Sequence, residues 1–457
     1  MKRTLTTLSL SALLLSSCLL GPDYLGPQDS ALPETWVNAL PPGTDAYTLT
    51  RWWQSFGDTQ LSALIETAFV ANPDMITAAL SISKAESALR STQSGLFPGV
   101  GVSMGGTNSG SFNTSLSHGR WSGGLSASWT PDIWGGTRRQ VEAAFANVGS
   151  VKAAAAATRA ALASGIASAY FEWISARESL RIAREQLEYQ ERTYQITAKR
   201  HGVGMESSLD LAEARATIAS TRAQIPALEA NIRKCENTLA TYLGTTVNNV
   251  SLQMPGASVY NLIPRVPTGL PSDLLRRRPD IIRAERDLHA ATANIGVNVA
   301  NLFPRLSLTG STSSASGTDF ANFFQNTTWS LGASASQTLL NRVSLNESVK
   351  QAEIQQKSAM QSYRKTVLAA FAEVEECLID YARLTNQLPQ YAASCAANKE
   401  AAQLSLERYN AGEGEFLNVA ASERAWLAAE LNLITTRQQI RMTLARLCTA
   451  LGGGWEK

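Results

Sequence analysis

The chain has 457 residues, 40 of them basic and 38 acidic. That length suits two or three domains, and the charge balance lacks the basic excess of a nucleic-acid-binding surface. After Cys18 no uncharged apolar run reaches the ~18 residues that a transmembrane helix needs, so any crossing of a bilayer must be made by strands.

Residues 1–17 read as a secretory leader: Lys2-Arg3, then an apolar run to Leu15. Leu15-Ser16-Ser17-Cys18 resembles a bacterial lipobox, which makes Cys18 the lipidated first residue of the mature chain; the alternative is an ordinary signal peptide with a chance cysteine. Removing Lys2 and Arg3 leaves 38 charges of each sign. A lipid anchor attaches a protein without making it span the membrane. Leu19 follows the cysteine, and the resemblance to outer-membrane lipoproteins implies that a residue other than Asp there permits export to the outer membrane. Residues 18–60 form a lipidated, extended N-terminal arm rich in Pro, Gly and small polar residues, which ends in Trp52-Trp53-Gln54-Ser55-Phe56-Gly57-Asp58. Leu61, Leu64, Ile65, Ala68 and Phe69 then have the spacing of a helix packed on one face.

The remainder is a tandem duplication. Asn72-Pro73-Asp74 matches Arg278-Pro279-Asp280 at an offset of 206, as Phe97-Pro98 matches Phe303-Pro304. Trp121 matches Trp329 at 208, as do Arg200 with Arg408, Gly204 with Gly412, and Leu243-Gly244 with Leu451-Gly452. Repeat 1 covers residues 61–249, a Pro-rich extended linker 250–271, and repeat 2 residues 272–457.

Each repeat opens with a helix of about 24 residues starting at Pro, whose missing amide is harmless at the first helical position. The helix stops at Phe-Pro, a natural switch to extended backbone. Two alternating segments follow around a polar loop, Gly105–Gly119 in one repeat and Ser311–Asn326 in the other. Trp121, Gly123, Leu125, Ala127 and Trp129 share one face; Ser122, Gly124, Ser126, Ser128 and Thr130 share the other. Trp329, Leu331, Ala333 and Ala335 repeat the pattern. Membrane barrel strands look like this, with aromatic residues at the ends, and so does a soluble half-buried hairpin.

A long helical hairpin completes each repeat. Residues 140–199 contain no proline, and a helix of that length spans roughly 90 Å. Ile166, Trp173, Leu180, Leu187 and Tyr194 recur every seven residues with Ala169, Ala176 and Ala183 beside them, which means coiled-coil-like packing. Val374, Tyr381, Leu388, Cys395 and Ala402 repeat that register. Pro226 and Pro389 mark expected kinks. Folding the second hairpin about Gly412 brings Cys377 level with Cys448, as either a disulfide or plain core.

A strand in lipid must belong to a closed barrel, and the smallest barrels have about eight strands. One chain supplies four, so the barrel must be shared: two chains give eight strands and three give twelve. The expected fold class is an α+β membrane protein.

The chain resembles the TolC superfamily of outer-membrane efflux channels, specifically its OprM/NodT-type lipoprotein branch. The motifs that carry the resemblance are Leu270-Pro271-Ser272-Asp273-Leu274-Leu275-Arg276-Arg277-Arg278-Pro279-Asp280, the run through Phe303-Pro304-Arg305-Leu306-Ser307-Leu308-Thr309-Gly310, Gly21-Pro22-Asp23-Tyr24, the Trp52-Trp53 run, and Asp132-Ile133-Trp134-Gly135-Gly136-Thr137-Arg138-Arg139. The resemblance implies a homotrimer with a 12-stranded outer-membrane β-barrel continued by a long periplasmic α-helical barrel. It implies docking to a periplasmic adaptor (a membrane fusion protein) and an inner-membrane pump of the resistance-nodulation-division class, with outer-membrane lipid around the barrel. The expected function is a passive exit duct for small molecules. The alternatives are a channel for another secretion system and a non-channel periplasmic coiled-coil scaffold lipoprotein.

Site residues follow from that frame. The tip turns expected to meet the adaptor hold Gly202, Val203, Gly204, Ser207, Leu209 and Asp210, and Ala411, Gly412, Gly414 and Leu417. The second turn departs from the family's Ser/Thr-rich pattern. Its Glu413 and Glu415 are candidate constriction residues that favour cations, with a solvated turn as the alternative. Trp121, Trp129 and Trp329 are the expected membrane girdle. His118, His201 and His289 are isolated, no Cys/His spacing suits a metal, and no catalytic constellation appears, so neither an enzyme nor a cofactor is expected.

Overall fold

The computed structural model describes residues 19–27, 35–38, 49–110, 117–260, 262–264, 271–316, 323–325 and 327–455. Cys18 and the leader lie outside them. The chain divides into two compact units, each built from both repeats: Met1–Ser30, Leu80–Ala153 and Ile282–Thr366 in one, and Ala31–Ala79, Ala154–Ile281 and Val367–Lys457 in the other.

The first unit holds the sheet. Strands β1 (Gly99–Gly110), β2 (Ser117–Trp129), β3 (Arg305–Ser316) and β4 (Thr327–Ser336) form an antiparallel meander in that order. The two hairpins share one register: Gly99 lies opposite Ser128 and Arg305 opposite Ser336, equivalent positions once the offsets of the duplication are applied. β2 and β3 join the hairpins, with Trp121 opposite Ser316 and Trp129 opposite Leu308. The strands run further than the alternation predicts. Gly105–Gly110 and Ser311–Ser316, expected in loops, are ladder residues. Hydrophobic alternation vanishes where both faces are small and polar, but backbone pairing needs no side chain.

The helices follow the sequence closely. Helix α1 (Thr59–Ala71) starts at Asp58, whose Oδ1 accepts from the amides of Gln60 (2.9 Å) and Leu61 (3.1 Å). Helix α2 (Pro73–Ser94) is capped by Asn72, which accepts from the Asp74 amide at 2.7 Å. Helix α3 (Gly136–Gly202) runs for 67 residues, with Asp132 accepting from the amides of Thr137 (3.0 Å) and Arg138 (2.8 Å) at its start. Helix α4 is Ser208–Tyr242. In the second repeat α5 (Pro279–Ala300), α6 (Arg342–Ala411, 70 residues) and α7 (Phe416–Ala450) correspond to α2, α3 and α4. Pro226 and Pro389 lie inside α4 and α6, which continue through both. The linker is not wholly extended: Ala257–Tyr260 makes one helical turn. The described arm also includes a 3-10 helix, Leu49–Phe56.

The second unit packs α3 antiparallel to α4, with ion pairs Arg184–Glu229 and Arg222–Glu191 at 2.6 Å each. Ile166, Trp173 and Leu180 are buried, as are Ala169, Ala176 and Ala183, each three residues further on. Trp52, Trp53 and Phe56 are buried in a cluster with Phe69 and Phe171, which pins the 3-10 helix to α3. Beside it, the Tyr170 hydroxyl donates to Asp58 Oδ2 at 2.8 Å. Cys377 and Cys448 are buried thiols and no disulfide joins them; burial pushes Cys377 up to about 11.

Both repeats close the same way. The Asn72 side-chain amide donates to Tyr242 O (2.8 Å), and Arg278 Nη1 donates to Ala450 O (2.8 Å). In each case the residue before the helix-starting proline caps the C-terminal end of that repeat's last helix. The glycine beyond it, Gly244 (φ +66) or Gly452 (φ +82), is left-handed, and a Cβ there would meet Ala71 O at 2.5 Å or the Arg277 carbonyl at 2.8 Å.

Candidate functional site

Three places in the structure are candidates for function: the sheet, the arm bound by Arg139, and the joined turns of the long hairpins. In the sheet, cross-strand partners share a face, so the register sorts the side chains. One face collects Val100, Val102 and Met104 from β1, Trp121, Leu125, Ala127 and Trp129 from β2, Leu306 and Leu308 from β3, and Trp329, Leu331, Ala333 and Ala335 from β4. The opposite face collects only small polar residues and glycine along most of its length, including Ser103, Ser122, Ser126, Ser311, Ser313, Ser330 and Ser334. The apolar face is exposed: Trp329 is 76% and Leu331 80% accessible. A soluble half-buried hairpin would have turned this face inward. No helix among the described residues is long and apolar enough to cross a membrane. Of the girdle residues, Trp121 and Trp329 stand on the exposed face, while Trp129 is half-buried and donates through Nε1 to Leu96 O at 3.0 Å.

β1 and β4 are the two edges of the sheet. Each therefore leaves a row of ladder groups without a partner strand among the described residues, which water cannot satisfy in lipid.

The Phe-Pro switches sit at the starts of β1 and β3. The Trp134 ring stacks on Phe303 at 4.9 Å, and its Nε1 donates to Pro304 O at 2.8 Å, so the segment leaving the first hairpin packs on the switch entering the second. Phe97, the equivalent of Phe303, is exposed, as are Leu339 and Leu340 at the end of the second hairpin.

The arm is bound here too. Arg139, 1% accessible, donates to Leu20 O (3.1 Å), Gly21 O (3.2 Å) and Asp23 Oδ1 (2.7 Å), and pairs with Glu142 at 2.7 Å. Burial opposes its charge, but Glu142 and Asp23 outweigh that and hold it above the usual arginine range. Tyr24 stacks on His289 at 4.4 Å, and His289 Nε2 lies 3.0 Å from Glu142. Sequence reasoning missed Arg139 as a site residue; the signal was an arginine one turn into a helix that soon becomes rich in alanine.

The two turns come together. Gly204 (φ +78) and Gly412 (φ +81) are left-handed, as tight hairpins require. Ser207 and Asp210 form a reciprocal cap at the start of α4, the Asp210 amide donating to Ser207 Oγ at 3.2 Å. Arg200 Nη1 donates to Tyr409 O at 2.6 Å, its guanidinium lies 4.8 Å above the Tyr409 ring, and Nε pairs with Glu206 at 2.9 Å. Tyr409 is fully buried and donates to Thr197 Oγ1 at 3.0 Å. Ala214, Phe416, Val419 and Ala420 complete this small core. Outside it, Val203, Met205, Leu209 and Leu417 are exposed beside the exposed Gly202, Gly204, Ala411 and Gly412, with Gly414 half-covered. Glu413 and Glu415 are exposed, and Glu415 precedes α7 without a side-chain capping bond. Among the described residues no group of His, Cys, Asp and Glu could hold a metal.

The family model for outer membrane efflux proteins matches the chain twice, over residues 64–245 and 270–453. The chain belongs to this family. The outer membrane efflux protein described here is 31% identical over 462 residues to the pyoverdine export outer membrane protein OpmQ of Pseudomonas aeruginosa, which covers 98% of this chain and 96% of that protein. It is likewise 31% identical to the cation efflux system protein CusC of Escherichia coli O6:H1, over 98% of each. Its fold matches the outer-membrane channel OprN with a TM-score of 0.86 at 28% identity, over 96% of this chain and all of that one. The open state of the Neisseria gonorrhoeae MtrE outer membrane channel matches with a TM-score of 0.86 at 26% identity, over 96% and 99%. The strands that sequence reasoning assigned to lipid are therefore those of an outer-membrane channel, and the protein is an outer-membrane component of an efflux system.

Proposed function

We propose that the protein is the passive exit duct of a tripartite export system and works as a homotrimer. The observation that carries this is the four-stranded sheet, with one largely apolar face, one small-polar face and two edges that have no partner strand among the described residues. Closing those edges on further copies gives a barrel that satisfies every ladder group, with the apolar face on lipid and the small-polar face lining the pore. Three copies give twelve strands. The duplication also sets the contact between copies. β2 packs on β3 within the chain, so β4 pairs with β1 of the next copy in the equivalent register, which places Leu331 opposite Asn108. That register keeps the apolar face on one side of the wall, and it brings the exposed Leu339 and Leu340 to the next copy's exposed Phe97, as Trp134 meets Phe303.

Cys18 is read as the lipid anchor, and the arm that follows it is bound by Arg139. The joined turns, with exposed Val203, Leu209 and Leu417, are read as the surface for a periplasmic adaptor that links the duct to an inner-membrane pump. Glu413 and Glu415, exposed in one chain, would gather from three copies into a cation-favouring ring. The protein supplies no chemistry or energy of its own. OpmQ and CusC bear names for pyoverdine export and cation efflux, yet this chain is equally similar to both, which supports a duct whose cargo is chosen upstream.

Purified protein in planar bilayers is expected to conduct, and Glu413→Gln with Glu415→Gln is expected to reduce cation preference. A protein that inserts but never conducts would overturn the duct and favour the scaffold reading.

A further inference from the structure

The buried face of α3 changes character along its length. From Ile166 through Trp173, Leu180 and Ala183 it is apolar; from there on Gln186, Gln190, Thr193 and Thr197 follow at helical spacing, each at most 3% accessible. Facing this polar stretch is Glu423 on α7, 2% accessible, which accepts a long hydrogen bond from Thr193 Oγ1 at 3.4 Å. Gln186 Nε2, Gln190 Oε1 and the Tyr189 hydroxyl are buried without a partner among the described residues. Gln190 also lines a groove of about 550 Å3 between α4 and α7, beside Thr217, Ser220, Gln224 and Arg424. The seam is therefore half-satisfied and adjoins a path for water, and half-satisfied polar networks are the weak points of packed helices.

We propose that this seam is a proton-operated latch: α3 and α7 close over Glu423 when its carboxyl is protonated, and when the proton leaves, the carboxylate draws water from the groove and loosens the helices between Gln186 and Thr197.

Among the described residues no cation pairs with the buried carboxyl. Arg424, on the same helix, is turned to Ala420 O at 3.1 Å and to the groove. Lys399 of α6 lies over the Trp426 ring, and Tyr189 of α3 feels the charges of both Glu423 and Glu407 of α6. From α4, Glu213 lines the groove, and Arg215 donates through Nε to the Tyr194 hydroxyl. Burial pushes Glu423 from 4.5 up to about 7, opposed only by the Thr193 bond. Because the packed state holds the proton more tightly than the loosened one, the seam is firmest below about pH 4.5, weakens as pH rises to about 7, and is constant above that. The packed and loosened states differ in proton affinity by the ratio that separates those two pH values, so the loosening constant should rise roughly a hundredfold or more across the window.

Hydrogen exchange on the full-length protein in lipid nanodiscs at pH 5 and pH 8, corrected for intrinsic exchange, reads this directly. Peptides spanning Gln186–Thr197 should gain protection at pH 5, while Ile166–Ala183 should not change with pH. Glu423→Gln should keep the seam protected at both pH values, and Thr193→Val, which removes the bond favouring the ionised form, should move the midpoint upward. Equal wild-type protection at both pH values, or a pH response that survives in Glu423→Gln, would overturn the latch. Exchange does not depend on conductance, so a failure of the duct reading would be seen separately.

Discussion

The two repeats do the same mechanical work with different chemistry. In the first, a neutral amide from Asn72 closes onto Tyr242 O; in the second, the guanidinium of Arg278 closes onto Ala450 O and also pairs with Asp280 (2.7 Å) and Glu373 (2.9 Å). At the turns Arg200 reaches across to the second hairpin, whereas its counterpart Arg408 is exposed. At the Phe-Pro switches Trp134 has Phe303 to pack on, whereas Leu339 and Leu340 face outward. The turns and the switches fit the ring proposed above: where the first repeat meets the second, the contact lies inside the chain, and the matching residues of the second repeat are left exposed. A duplication whose last repeat is left open is a ring cut once.

That comparison can be broken by mutation, and the largest effect should come from the charged junction. Arg278→Ala strips a buried cation from two carboxylates and a helix-end carbonyl, and should cost about 3 kcal/mol in detergent-solubilised thermal or denaturant unfolding. Trp134→Ala removes an aromatic stack and a hydrogen bond and should cost about 2 kcal/mol, whereas Leu340→Ser should leave the isolated chain's stability unchanged and weaken only its association. Asn72→Ala loses a helix cap together with the tertiary hydrogen bond and should cost about 1–2 kcal/mol, less than its charged counterpart. Equal losses at Asn72 and Arg278 would mean that the junctions are equivalent after all. The smallest effect is at the turns: Arg200→Ala should cost about 1 kcal/mol and raise hydrogen exchange around Tyr409, while Arg408→Ala should change neither in the monomer.

Much of this was legible in the sequence, because the duplication preserves spacing. The helix-starting prolines, the Phe-Pro switches, the heptads and the alternation of β2 and β4 all fall where the offsets place them. The far ends of the strands were not legible, since glycine, serine and threonine on both faces erase the period-two signal while leaving the backbone ladder intact. Nor were Arg139, Arg278 and Glu423 as buried polar anchors: each meets a partner more than 90 residues away, and a lone charge in a helix looks solvated until that partner is placed. For Glu423 a signal existed, because it follows Phe416, Val419 and Ala420 at the spacing of the buried face.

The central claim is that the open edges β1 and β4 close on other copies in the register set by the duplication. The direct measurement is oxidative cross-linking in native membranes of a chain carrying both Asn108→Cys and Leu331→Cys. A covalent trimer is expected on non-reducing gels and only monomer after reduction, with each single variant uncross-linked. Monomer alone under oxidation, in a protein that is otherwise folded and inserted, would contradict it.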